Sequence, residues 1–193
     1  PSFAMIKVRP DFSDPMLKDG VRLKAGEYVD TTFVERERHM ACRYRLVSDL
    51  TVWPYEIQKA EYLSTAAPLQ ARGLNSASSV TSGLCIELAL RLTKPGGEAK
   101  STKQPVSTCT PDTLTFHIVD AMSDSAILYE QLFSRLKRIV IRHAVDGEAP
   151  KFEVLGTDAI EAIGFEPGQS LFGHDDRVFT GFNYLREYFA FPA

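Results

Sequence analysis

An α+β fold, mainly an antiparallel β-sheet or sandwich with about two helices, is what this sequence of 193 residues predicts, and three observations predict it. Short runs alternate apolar and polar side chains, the period of a strand with one buried face. Two segments carry apolar residues at helical spacing instead. Turn-forming clusters of Gly, Pro, Ser and Asp separate the runs, and a total of six to eight strands with two helices fits an antiparallel arrangement.

Met5 to Arg9 alternates and reads as a half-buried strand. Asp11 to Gly20 is rich in turn formers, with Lys18-Asp19-Gly20 reversing the chain. Val21 to Lys24 alternates again, Ala25-Gly26-Glu27 turns, and Tyr28-Val29 resumes, which reads as a β-hairpin. Alternation continues weakly from Thr32 to Arg38, and Ala41 to Val47 places Cys42, Tyr44 and Leu46 on one side of a strand. Pro54 breaks the pattern, and Glu56 to Tyr62 fits a strand or a short helix. Ala71 to Ser82 is small and polar, hence a loop or linker.

Leu84 to Leu92 is the strongest strand, since every even position is apolar. Thr93 to Asp112 holds too little apolar surface to order itself and predicts a long mobile loop. Leu114 to Val119 returns to strand. Ser123 or Asp124 is placed to cap a helix with a Leu128, Leu132, Leu136 stripe, Tyr129 and Phe133 beside it, and Lys137 and Arg138 at its negative end. Arg138 to Arg142 is β-branched and apolar, a buried strand, and Lys151 to Leu155 is another short one. Gly164 to Asp176 is loop, and the Phe182, Leu185, Phe189 spacing makes Phe179 to Ala190 a helix. The organisation expected is a β-rich part over 1–92, the loop over 93–112, and an α/β part over 113–193 on the same core, or else one continuous domain.

Composition excludes several classes of function. A hydrophobic fraction of 44% and a charged fraction of 24% are those of an ordinary globular protein. A net charge of −3 lacks the positive field that sequence-independent nucleic-acid binding requires. Cys42, Cys85 and Cys109 are odd in number and widely spaced, which argues against a disulfide framework or a zinc clasp and for a reducing cytoplasm. No apolar run approaches the roughly 20 residues that cross a bilayer as a helix. Cys42 and Cys85 fall on expected inward faces and behave there as small apolar residues.

The motifs of sequence-legible enzymes are missing: there is no Gly-x-Ser-x-Gly elbow, phosphate loop, dinucleotide turn or His-Glu-x-x-His helix. His174-Asp175-Asp176 is the sharpest remaining cluster, the ligand set of a metal-dependent hydrolase, although neighbours in extended backbone point to opposite sides. A carbohydrate-binding β-sandwich with an exposed shelf of Trp53 and Tyr residues is a further alternative. Glu35-Arg36-Glu37-Arg38 alternates in charge, as solvated strands and turns do. Trp53 and the aromatic cluster Phe182, Tyr184, Tyr188, Phe189 and Phe191 divide between core anchors and contacts for a partner.

Four blocks, in order and in register, carry a family resemblance. They are Pro1-Ser2-Phe3-Ala4-Met5; Trp53-Pro54-Tyr55-Glu56-Ile57 with Ala60-Glu61-Tyr62-Leu63-Ser64-Thr65-Ala66-Ala67; Leu128-Tyr129-Glu130-Gln131-Leu132; and Gly181-Phe182-Asn183-Tyr184-Leu185-Arg186-Glu187-Tyr188-Phe189-Ala190-Phe191-Pro192. Together they resemble TssF, also called ImpG or VasA, a baseplate protein of the bacterial type VI secretion system. The resemblance implies a structural role with no enzyme activity and no cofactor, in a cytoplasmic baseplate docked at the inner membrane. It implies wedge complexes with TssG, TssK and TssE, and contact with a second TssF copy and the VgrG hub. The candidate interface residues are Trp53, Tyr62, Leu63, Tyr184, Tyr188 and Phe189. The chain opens directly in strand-like sequence and stops inside a motif the family continues, so an internal fragment of a larger protein is expected.

Overall fold

A computed structural model describes residues 3–35, 38–74, 79–91, 109, 111–143, 149–165, 169–172, 177, 179 and 181–190. The elements in order are β1 (Val21–Leu23), β2 (Tyr28–Glu35), β3 (Arg38–Arg45), β4 (Leu50–Val52), β5 (Tyr55–Leu63), α1 (Ala67–Ala71), β6 (Gly83–Leu90), α2 (Met122–Ser134), β7 (Ile139–His143), β8 (Lys151–Leu155) and α3 (Asn183–Ala190). Every pairing among them is antiparallel, as the sequence predicts for an α+β chain, and the strands are divided into four two-stranded sheets: β1–β4, β2–β3, β5–β6 and β7–β8. The 93–112 loop, apart from Cys109, Pro111 and Asp112, lies outside the described residues, as do His174, Asp175, Asp176 and Phe191.

The first two sheets are one long hairpin with a gap in it. Val21 faces Val52 and Leu23 faces Leu50; beyond the gap Tyr28 faces Arg45 and Glu35 faces Arg38. Four residues on each strand, 24–27 and 46–49, fill the gap, so the register is the same on both sides. The backbone groups there are bonded: Gly26 N donates to Leu46 O and Leu46 N to Glu27 O, both at 2.8 Å, and Ala25 N donates to the Asp49 carboxylate at 2.8 Å. The turn read at Ala25-Gly26-Glu27 is therefore a kink within one strand and does not pair β1 with Tyr28-Val29. It closes locally, Glu27 N on Lys24 O, but its outer groups are taken by Leu46, which sends the chain onward.

A 3-10 turn, Pro15–Asp19, delivers the chain to β1, with the Asp14 carboxylate accepting from Met16 N and Leu17 buried beneath it. Gly20 ends it at φ 78°, where an added Cβ would stand 2.8 Å from Thr51 Cγ2 and 3.0 Å from the Trp53 ring. Only a residue without a side chain meets both demands.

The centre of the structure is β5–β6. Residues 59–63 pair with β6 in one register, and Ile57 and Tyr55 in another shifted by one, which leaves Gln58 as a bulge. That extra residue keeps Tyr55, Ile57, Ala60 and Tyr62 opposite Leu90, Leu88, Ile86 and Leu84, so one face of the sheet is apolar end to end. The other face carries Glu61 and Leu63 and is covered by α1. Leu69 of α1 packs into the space left by Gly83, where a Cβ would lie 3.0 Å from its Cδ2, and Arg72 pairs with Glu61. Phe152 of β8 packs beside Gly73 just beyond α1. Arg91 N donates to the carbonyl of the buried Pro54 at 2.8 Å, and Arg91 pairs with Glu56.

Several expectations are corrected. Residues 3–10 and 113–119 enter no ladder, although both alternate. Their inward side chains, Val8, Pro10 and Leu114, rest with Val52, Tyr55 and Leu88 around an apolar cleft of about 270 Å³. Alternation supplies a face, but a ladder also needs a strand edge within reach. The cap of α2 is Ala121, with no side-chain bond, so Ser123 and Asp124 lie inside the first turn, and Leu136 falls past the helix end. Strand β7 was expected to be buried, yet Ile141 and Arg142, which point to opposite faces, are both exposed, because a two-stranded ribbon with no further strand beside it is covered on neither face along its whole length. Cys42 is exposed for the same reason on β3. Helix α3 starts at Asn183, later than Phe179; the edge-to-face contact of Phe179 with Phe182, 5.6 Å between centroids, closes a turn ahead of it.

Among the described residues, the buried apolar side chains are Leu17, Leu63, Leu69, Leu90 and Cys109, with Pro54 fully enclosed. That is a small core for a chain which, when compact, buries roughly 70% of its unfolded surface.

Gly20→Ala should destabilise the protein more than Gly26→Ala, although both glycines have positive φ, because a Cβ at Gly26 meets open space. The strained backbone alone costs about 1–2 kcal/mol, and thermal unfolding of the two variants will separate it from the clash. Tyr55 gives a second test. Its hydroxyl donates to the Cys109 carbonyl at 2.9 Å, and burial, then Cys109, push its pKa from 10.0 up to about 12. The neutral phenol therefore stabilises the fold in full below pH 10, and this contribution is lost as the pH rises through about 12. Phenolate absorbance should show one late-titrating tyrosine, absent in Tyr55→Phe.

Candidate assembly interface

Trp53 stands between β4 and β5, held there by Pro54, whose ring ends the first ladder. Its ring packs against Gly20, and its indole Nε1 is enclosed without an acceptor among the described residues. Beside it lies a polar cleft of about 430 Å³ lined by Lys18, Asp19, Arg22, Thr51, Asp112 and Thr113. Charges of both signs share that cleft, so it selects for neither anion nor cation.

Tyr62 and Leu63 are neighbours on β5 and so point to opposite faces. Leu63 is 8% exposed and belongs to the packing under α1. Tyr62 is 47% exposed, and its hydroxyl donates to the Gln131 side chain of α2 at 3.0 Å. Glu61, just before Tyr62 and on the Leu63 face, is held below the usual carboxylate range by its hydrogen bond with Lys59 and, secondarily, by Arg72.

Tyr184, Tyr188 and Phe189 lie on α3. The Tyr184 hydroxyl donates to the Phe165 carbonyl at 2.6 Å, and that of Tyr188 approaches Met122 Sδ at 3.7 Å. Glu187 accepts from the Ser170 hydroxyl at 2.7 Å and from Leu171 N at 2.8 Å. Arg186 lies over the Phe172 ring, which meets Phe3 edge-on at 5.3 Å. Phe189 touches the Tyr188 ring and is 74% exposed.

The six residues therefore do not converge on one patch. Among the described residues Tyr62 and Tyr188 are linked through α2, which takes one hydroxyl near its C-terminal end, at Gln131, and the other at Met122. Trp53 sits apart, at the root of the long hairpin. What joins these places is chemical character: half-exposed aromatic rings, several with a hydroxyl, on rigid elements. Such residues concentrate energy in protein contacts because they bury large areas at small entropic cost. The arrangement contains no nucleophile beside a base, and among the described residues no three His, Cys, Asp or Glu side chains gather as a cation site.

Sequence reasoning read strand-like alternation along both sides of the β2–β3 arm but did not pair the two with each other. The arm's main contacts are between its own strands. Asp30 and Arg43, directly opposite each other, form a two-pronged pair at 2.7 and 2.9 Å, and Arg43 also lies over the Tyr28 ring. The pair holds the Asp30 carboxyl low, chiefly through the Arg43 hydrogen bonds. Asp30, Arg43 and Tyr28 are all exposed. Val29, Thr31 and Tyr44 on the other face are half-buried, so the open face of this ribbon is the one that carries Tyr28, Asp30 and Arg43.

Comparison with known proteins identifies a family. The family model described as "Type VI secretion system, TssF" matches residues 1–193. The type VI secretion system component TssF1 of Pseudomonas aeruginosa is 28% identical over 193 residues, covering all of this chain and 29% of that protein. The chain thus spans less than a third of the length of this curated relative. No solved structure matches. The chain belongs to the TssF family of type VI secretion system components.

Proposed function

We propose that this chain is a structural part of the type VI secretion baseplate, without catalytic activity, that assembles wedge complexes with TssG, TssK and TssE. A second TssF copy and the VgrG hub complete its surroundings, on the cytoplasmic side of the inner membrane. The observation that supports this most directly is the family match over the whole chain. The structure adds physical support: a small core, an arm with few contacts outside itself, and half-exposed aromatics at separate places. Among the described residues no helix is long and apolar enough to cross a membrane.

The mechanism is multivalent burial. Each surface is modest, but once one is engaged the others bind as if at high local concentration, so the assembly dissociates slowly without any single strong contact. Tyr62, Tyr184 and Tyr188 offer the half-exposed faces of their rings to partners, their hydroxyls being tied within the chain, while Trp53 and Leu63 hold the shape that presents them.

Co-purification with TssG, TssK and TssE tests this. Tyr62→Ala and Tyr188→Ala should each weaken recovery of a partner at least about tenfold, near 1.4 kcal/mol, with little change in melting temperature. Trp53→Ala should lower the melting temperature instead. Full recovery of every partner by both tyrosine variants, or turnover of a small molecule abolished by one polar substitution, would overturn the proposal.

A further inference from the structure

Residues 3–10 and 113–119 alternate like strands and enter no ladder. Neither segment makes a backbone hydrogen bond among the described residues, although extended backbone ordinarily finds partners for its N–H and C=O groups. Each is nonetheless fastened at both ends. The first is held by the Phe3–Phe172 ring contact at 5.3 Å and by the turn at Asp11, whose carboxylate accepts from Ser13 N and whose carbonyl accepts from Asp14 N, both at 3.0 Å. The second runs from the buried Cys109, whose carbonyl accepts from the Tyr55 hydroxyl, to Ala121, whose N–H donates to the Asp120 carboxylate at 2.8 Å just ahead of α2. Both border the apolar cleft of about 270 Å³ at the Tyr55 end of β5–β6, with Ile6 and Val8 from one and Leu114 and Phe116 from the other. Ile6, Ile57 and Phe116 in its wall are 43%, 55% and 48% exposed.

We infer that these segments are two straps that pair with each other as strands, closing the cleft and covering the apolar face of β5–β6. Two arguments choose each as the other's partner. Pairing them satisfies unbonded backbone groups on both at once and breaks no ladder already formed. Closure also removes Ile6, Ile57 and Phe116 from water, and segments tethered at both ends lose less freedom on meeting than free chains do. With the straps apart the apolar face is open, and with them paired it is shut, so the fold holds a two-state cover for its central sheet. The inference rests on this geometry and not on any partner assigned above.

Amide hydrogen exchange of the 193-residue chain tests it, with the β5–β6 amides as the reference for an intact fold. Both segments should exchange at least about tenfold more slowly than an unstructured peptide, and both should lose protection at the same urea concentration, as partners that open together do. Lys7→Pro and Val8→Pro, made separately, supply the second arm. Successive amides of a strand face opposite edges, so one of the two removes a donor aimed at the other strap. That variant should abolish protection over residues 113–119 while β5–β6 stays protected. Unprotected exchange in both segments overturns the inference, and so does loss of protection at different urea concentrations. Protection of 113–119 that survives both proline variants assigns its edge to another strand and overturns it equally. So does protection that arises only when TssG, TssK or TssE is added, which makes the cleft a partner surface.

Discussion

The bulge at Gln58 keeps two halves of one strand in phase, and most of the described structure hangs from the sheet that results. Without the extra residue, Tyr55 and Ile57 would oppose the wrong face of β6, and a single-residue slip moves a strand's entire apolar set from one side to the other. With it, one face of β5–β6 is uniformly apolar and receives the cleft segments and α2, while the other receives α1 through Leu69, Leu63 and the Glu61–Arg72 pair. The Tyr55 hydroxyl and the Pro54 carbonyl then extend that sheet to Cys109 and Arg91. Each attachment assumes a fixed orientation of β5.

The parts of this fold that the sequence made legible are those set by local period. Leu84 to Leu92 alternates so strictly that β6 was unambiguous, and the leucine spacing of α2 located that helix to within about a turn. Partner choice was not legible, because alternation says which face is apolar and nothing about which edge is free. Val21 to Lys24 and Tyr28-Val29 look like the two arms of a hairpin until Leu50–Val52, nearly thirty residues away, supplies a better edge. The same limit explains residues 3–10, whose pattern is that of a strand and whose backbone meets none. Among the candidate residues, aromatic density marked α3 as rich in rings but left open whether they are core anchors or contacts, and the structure leaves Phe182, Tyr184, Tyr188 and Phe189 more than half exposed. Aromatic density did not reveal which rings are tethered by hydroxyls and which are open, since that depends on Phe165 and Met122, distant in sequence or unremarkable in type.

A small core with many half-exposed rings is a poor design for an isolated protein and a sensible one for a member of a large assembly. On the proposed function, contacts with other subunits supply stability that a free domain takes from its interior. This accords with membership in the TssF family and with a chain that covers less than a third of its curated relative.

The unchanged register across the gap in the long hairpin has a mechanical consequence. A pull applied at the Glu35–Arg38 end, directed along the strands away from Val21 and Val52, is borne by two covalent backbones in parallel and does not load the cross-strand hydrogen bonds in sequence. Sideways bending is different: it collects at residues 24–27 and 46–49, where the regular ladder lapses and three specific bonds stand in for it. The ribbon is accordingly stiff in tension and compliant at one elbow, as a tie-rod on a pivot is.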